Sequence, residues 1–194
     1  MEIINFSNLK IEVSLDNLYK QNSADNVKEY DYIYSSYNSI NKENDTYAPK
    51  YGIIVKDEEI IVRSALLVAG GGGATAPHKR SALIDNDSLI VILGDSIFSI
   101  SLPDLSLNWV AVCEDCAVCF EIFNCIDGYI IHGEVSIIKI NKLGKVEWEF
   151  FGRDIFTTPD SVDDFKVYNN YIIAKDWEYN SYKIDIKNGI EIKY

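Results

Sequence analysis

Along this chain the hydrophobic positions alternate with polar ones in short runs, and the runs come in sets. The stretch GEVSIIKINKLGKVEW, residues 133–148, holds two such runs around a Lys-Leu-Gly corner and ends in a tryptophan. A period of two places successive side chains on opposite faces, which marks strands and not helices. Thirty-nine residues earlier, GDSIFSISLPDLSLNW (94–109) has the same length and the same ends. Gly94-Asp95 matches Gly133-Glu134, and Ile97, Phe98 and Ile100 match Ile137, Ile138 and Ile140. Leu107 and Trp109 match Val146 and Trp148. A weaker third copy, YKIDIKNGIEI, occupies 182–192, with Ile190 and Ile192 in the place of the last pair.

Each copy is preceded by another strand-like run: LIVIL (89–93), YIIH (129–132) or YIIA (171–174). Each of these follows a short polar turn, DNDS, NCIDG or NN, and ahead of those turns stand SALI, CFEIF and FKVY. The unit therefore reads as four short strands in a meander, with a period of about 39–44 residues. A lone unit cannot bury both faces, so units must stack as the blades of a propeller do. No apolar pattern of period 3.6 is sustained between caps, so the chain is expected to be all-β: a β-propeller-like array of four-stranded meander repeats.

The alternating strands, the glycine turn and the Val146-x-Trp148-x-Phe150 ending resemble the blades of quinoprotein-type and WD40-like β-propellers. The string YIIHGEVSIIKINKLGKVEWEFFGRDIF also resembles a group of uncharacterised bacterial proteins of this size. The likeness covers about residues 65–194 and implies a fold without an activity. Quinoprotein enzymes use many more blades and a metal-assisted cofactor pocket, so no cofactor carries over.

The expected organisation is one domain, 1–194, with repeat units at 77–117, 118–152 and 163–194. INFSNLKIEVSL and YGIIVKDEEIIVRSALLVA would supply four strands of a degenerate first unit. Residues 16–50 read as a long polar loop or insertion with a short helix near Asp16–Gln21. The alternation of Tyr30, Tyr32 and Tyr34 fits an exposed edge strand as the alternative. Should the propeller be incomplete, a second copy could complete it as a homo-oligomer.

Composition narrows the functions. The 194 residues are 47% hydrophobic and 25% charged, the mix of a folded domain, and the formal net charge is -12. Such a surface repels phosphate backbones and anionic lipid, so nucleic-acid and membrane partners are not expected and a basic protein is. The first residues lack the basic and apolar regions of a signal peptide, so the expected location is cytoplasmic, with four reduced cysteines.

Several motifs suggest chemistry. LGDSI (93–97) resembles the nucleophile block of GDSL-type esterases, which would make Ser96 the nucleophile. Those enzymes open a helix at this serine, whereas IFSIS continues as a strand, so a turn role is the better reading. AGGGGATAPHKR (69–80) fits a loose dinucleotide fingerprint, but Pro77 and a strand follow where a helix should begin. The loop is read as a tight connection between units. As an alternative it could line a small-molecule or hydrolase pocket, built from Gly70–Gly73 (Gly72 and Gly73 within it), His78, His132 and Glu134. Cys113, Cys116, Cys119 and Cys125 lack the two-knuckle spacing of a zinc site and the run of an iron–sulfur site, so no metal is expected.

GRDIFTTPDSVDDF (152–165) is the most distinctive remaining segment. With Asp176 and Glu178 it gives six acidic residues between 154 and 178 against Lys166 and Lys175. A recognition patch is therefore expected at Arg153, Asp154, Asp160, Asp163, Asp164, Asp176 and Trp177, with Trp177 as a contact aromatic. No catalytic group and no cofactor are assigned. The leading expectation is a non-enzymatic interaction module, in its most specific form an acidic immunity-type inhibitor of a basic toxin.

Overall fold

The computed structural model describes residues 1–37, 48–71, 76–160 and 164–193. Among these residues there are sixteen strands and no helix. An N-terminal sheet contains β1 (Glu2–Phe6), β2 (Leu9–Leu15), β3 (Tyr32–Ser35), β4 (Lys50–Asp57) and β5 (Ile60–Val68). Two four-stranded meanders follow: β6 (Ala82–Asp85), β7 (Ser88–Leu93), β8 (Ser96–Ser101) and β9 (Leu107–Val112), then β10 (Cys119–Cys125), β11 (Gly128–Gly133), β12 (Ser136–Asn141) and β13 (Val146–Phe151). The last sheet has three strands, β14 (Phe165–Val167), β15 (Tyr171–Lys175) and β16 (Ser181–Asp185). Successive strands of these last three sheets pair antiparallel, so the array is propeller-like.

Stacking explains why the central strands are apolar on both faces: Leu89–Leu93 and Tyr129–Ile131 are all buried. One face of β7 packs with Val13 and Ile53 of the N-terminal sheet, and the other with Ile122 and Ile131 of the next sheet. A third core joins Ile130 and Ile137 to Ile172 and Ile184 of the last sheet. Among the described residues no core cluster joins the last sheet to the first.

The repeat is exact enough to reproduce irregularities. A β-bulge falls at Ser99/Ile100 in the β8–β9 pair and at Lys139/Ile140 in the β12–β13 pair. The tryptophans of the two matched segments also do the same work. Trp109 donates its indole N–H to the Lys142 carbonyl at 3.0 Å, and Trp148 donates to that of Ile186 at 2.9 Å. Each ring lies over a glycine in the next sheet's outer turn, Gly144 at φ 77° and Gly189 at φ 70°. They are half-buried staples between the outer edges of neighbouring sheets. Tyr34 of β3 repeats the device, donating to the Leu105 carbonyl at 3.0 Å.

The N-terminal region departs from expectation in three ways. β1, β2, β4 and β5 are the four strands anticipated, but β3 adds a fifth, parallel to β5 at the sheet edge. The edge-strand alternative thus applies to Tyr32 and Tyr34, and the plain polar-loop reading of 16–50 is corrected there. No helix forms near Asp16–Gln21; a turn stands in its place, with the Tyr19 N–H bonded to the Asp16 carbonyl. Tyr19, Tyr30 and Tyr37 pack instead over Ala48, Leu66 and Val68, covering the outward face of the first sheet. In the last unit, Ile190 and Ile192 do not form a fourth strand; a single bridge from Ile184 to Glu191 replaces it, and Ile190 is exposed.

Candidate functional site

In a four-stranded meander, the second turn and the connector to the next unit lie at one end of the strands, and the first and third turns lie at the other. At the first end, the connectors dock on the turns through backbone bonds. Cys113 N–H donates to the Asp95 carbonyl, Phe156 N–H to that of Glu134, and Trp177 N–H to that of Ile155. Asp95, Glu134 and Asp176 thus occupy corresponding places in three units, and the connectors between them bring Glu114, Asp115, Asp154, Asp160 and Asp164 to the same end. Among the described residues of these segments the cations are Arg153, exposed, and Lys175, half-buried.

The tip of the β15–β16 turn carries two exposed aromatics on this face. Trp177 is 47% exposed and Tyr179 54%. Below them Asp176 is fully buried, accepting from the Glu178 and Asn180 backbone N–H groups, the Asn180 side-chain amide and the Tyr182 hydroxyl. Burial alone would push the Asp176 carboxyl up. The hydrogen bonds from Asn180, Tyr182 and the two backbone N–H groups outweigh it, so its pKa is lowered from 3.8. Asp176 therefore shapes the turn from inside and does not belong to an exposed patch, a correction to the sequence reading. Tyr179 sits at φ 62°, a conformation that favours glycine or asparagine.

The other expected patch residues divide. Asp160 and Arg153 are exposed, and Asp154 is half-buried, accepting from the Ile155 N–H at 2.8 Å. Asp164 is tied to Thr157 and Thr158 and serves its connector. Asp163 lies outside the described residues. Tyr179, Glu114 and Asp115 were not among the sequence candidates: Tyr179 because a non-glycine residue at positive φ leaves no mark in a polar run, and the two acids because only the fold carries their connector to the same end as the β15–β16 turn.

The residues of the alternative pocket that the structure describes are each engaged in local contacts. Gly72 and Gly73 lie outside the described residues. His132 is buried and bonds Glu121 through Nδ1 at 3.0 Å and the Phe156 carbonyl through Nε2, with its ring stacked on Phe165 at 4.0 Å. His78 is exposed and holds its own turn, its N–H on Ser81 Oγ and its Nδ1 accepting from the Arg80 N–H. Glu134 holds the connectors by backbone bonds to Val118 and Phe156. Both ring nitrogens of His132 are thus engaged within the fold.

Ser96 opens strand β8, is completely buried, and has its hydroxyl 2.6 Å from Asp95 Oδ1 and 2.8 Å from Ser36 Oγ. Ser136 takes the corresponding place at the start of β12 and is equally buried. Cys113, Cys116 and Cys119 are buried free thiols in the core between the two four-stranded sheets. Hydrogen bonding from Cys119, then from the Glu134 backbone, draws the Cys116 thiol down to about 7 against its burial. Among the described residues no group of three or more histidine, cysteine or acidic side chains has the geometry to hold a metal ion.

At the opposite end, the first turns of the three repeat units line a concave cavity of about 720 Å³, together with Lys142 of the β12–β13 turn and Arg80, which belongs to the connector before β6. Arg80, Asp85, Asn124, Lys142, Tyr168 and Asn169 are among its lining residues. The polar turns DNDS, NCIDG and NN were visible in the sequence, but their convergence was not.

No protein-family model and no curated protein matches this sequence. Solved structures similar to it include the Neurospora crassa Pan2 WD40 domain, at 14% identity over 59% of this chain and 36% of that one, with a TM-score of 0.47. BamB from Moraxella catarrhalis is similar at 18% identity over 76% of this chain and 45% of that one, with a TM-score of 0.49. The AfRom2 CNH domain is similar at 11% identity over 76% of this chain and 47% of that one, with a TM-score of 0.43. The chain spans less than half the length of each. The propeller-like class itself rests on the strand pairing.

Proposed function

We propose that this protein is a non-enzymatic interaction module that takes a basic protein partner on the connector end of its sheets. The observation that carries this reading is the pair of exposed aromatics, Trp177 and Tyr179, on a turn fixed by the buried Asp176. Aromatic anchors held rigid before binding lose little entropy on association, and interface hot spots are enriched in Trp and Tyr. Keeping a tyrosine at positive φ, where its backbone conformation is disfavoured, points to a use for the ring itself. The surrounding Glu114, Asp115, Asp160 and Glu178 would speed the approach of a cationic surface. An acidic inhibitor seated on a basic toxin enzyme is the specific form of partnership that this charge fits.

The test combines capture with kinetics. Wild-type protein is used to isolate partners, and each candidate is measured against Trp177→Ala/Tyr179→Ala and Glu114→Gln/Asp115→Asn/Asp160→Asn/Glu178→Gln. The aromatic variant is expected to raise the off-rate by about thirtyfold, as for loss of a hot spot. The charge variant is expected to lower the on-rate and flatten its decline between low salt and about 0.1 M, where the Debye length is about 10 Å. A partner that is acidic, or that binds both variants as it binds wild type, would overturn the proposal.

A further inference from the structure

We infer that the concave cavity at the first turns of the three repeat units is a binding site for a small phosphorylated or carboxylated molecule, with Arg80 receiving its oxyanion. The cavity lies at the opposite end of the strands from Trp177, and the inference is independent of the partner proposed for that end.

Charge is the first argument. The chain carries a formal net charge of -12, yet the charged residues lining this cavity are Arg80, Lys142 and one carboxylate, Asp85. Asp85 is already spent: its Oδ2 accepts from Lys142 Nζ at 2.6 Å and from the Tyr129 hydroxyl at 2.7 Å. The bond from Lys142, followed by that from Tyr129, lowers its pKa and keeps it ionised. Lys142 is in turn held by Asn124 Oδ1 at 2.7 Å and by the Tyr129 ring face at 4.2 Å. Lysine and aspartate cancel, and Arg80 is left as the cavity's uncompensated charge.

The second argument is the way Arg80 is held. Its guanidinium lies over the Phe123 ring, 4.5 Å from the centroid, and among the described residues no carboxylate pairs with it. Stacking occupies the face of the planar group and leaves its edge, where the N–H donors point, open to a bidentate acceptor. The platform beneath is firm, because Phe123 packs on Phe165 at 5.4 Å and Phe165 stacks on His132. The Arg80 backbone is fixed as well, since its carbonyl accepts from the Ile122 N–H at 2.9 Å.

Neutral donors complete the site. With its Oδ1 taken by Lys142, Asn124 has its amide N–H groups left for the cavity, and Asn169 lines the wall from the neighbouring unit. A volume of about 720 Å³ suits a small molecule and is too confined for a folded partner. Three units thus contribute one cation and several amides to one concavity, which is the donor-rich lining an oxyanion needs.

The experiment is an amide NMR titration of the whole chain with inorganic phosphate and, separately, with acetate, in chloride buffer at fixed ionic strength. At least one anion is expected to saturate by tens of millimolar, moving the signals of Arg80, Asn124 and Asn169, and the tighter one identifies the oxyanion class. Arg80→Gln should weaken that binding by at least about tenfold, the scale of a lost charge-assisted bond. Arg80→Lys, which keeps the charge but not the fork, should fall between, and Arg153→Gln at the other end should bind as wild type. The inference is overturned if neither anion saturates, if Arg80→Gln binds like wild type, or if Arg153→Gln loses as much as Arg80→Gln.

Discussion

Replacing Gly144 with Ala places a methyl group where the Trp109 ring already lies. The added Cβ would sit 2.5 Å from Trp109 Cε3 and 2.7 Å from Cδ2, at a backbone φ of 77°. Carbon contacts relax near 3.5–4.0 Å, so the ring must retreat by about 1 Å. That withdraws the indole N–H from the Lys142 carbonyl, now at 3.0 Å, and a lost hydrogen bond of this kind costs about 0.5–1.5 kcal/mol. The left-handed conformation costs alanine about 1–2 kcal/mol, offset by about 0.4–1 kcal/mol through the stiffer unfolded chain. The sum is about 0.5–3 kcal/mol of destabilisation. Gly189→Ala should cost the same, because Gly189 meets Trp148 at 2.6 Å with φ 70°. Urea unfolding measures both. A double-mutant cycle isolates the staple: in a Trp109→Ala background, Gly144→Ala should lose the ring-dependent part of about 0.5–1.5 kcal/mol and keep only the backbone cost, about 0–1.6 kcal/mol. An equal cost in both backgrounds would refute the staple. A silent Gly189→Ala beside a costly Gly144→Ala would refute the equivalence of the two.

Two further outcomes follow from buried polar side chains. His132→Ala removes a ring stacked on Phe165 and deprives Glu121 and the Phe156 carbonyl of their imidazole partner, so thermal or urea unfolding should show a loss of about 2–4 kcal/mol; a change under about 0.5 kcal/mol would contradict its structural role. Asp176→Asn should lose about 1–3 kcal/mol at pH 7 by breaking the acceptor set of the β15–β16 turn. Because the folded pKa of Asp176 is depressed, its stabilisation is present above the ordinary 3.8 and is lost as pH falls through the lower folded value. The gap between wild type and variant in urea midpoint should therefore shrink below about pH 4, and a gap unchanged down to pH 2.5 would refute the assignment.

What the sequence by itself determined was the local unit. Period-two alternation, polar turns at fixed offsets and matched tryptophans give the strands of β6 to β16 and their meander order. These signals are local: each depends on residues within one strand or one turn, and side-chain direction follows from backbone geometry alone. The bulges at Ser99/Ile100 and Lys139/Ile140 fall at matched positions of the two copies, although the alternation itself does not announce them. Where the sequence misled, a non-local partner decided. Tyr32 and Tyr34 became an edge strand because β5 offered an unpaired edge, and Tyr19, Tyr30 and Tyr37 closed over the face of the first sheet. Asp176 read as surface charge until the chain folded four hydrogen-bond donors around it. Candidate chemistry was still less legible, because Glu114 and Asp115 reach the end that carries Trp177 and Tyr179 only through the stacking of other sheets, and Arg80 meets Phe123, and shares a cavity with Asn124 and Asn169, across unit boundaries. Distances between units are set by stacking of the sheets, and no spacing along the chain encodes them.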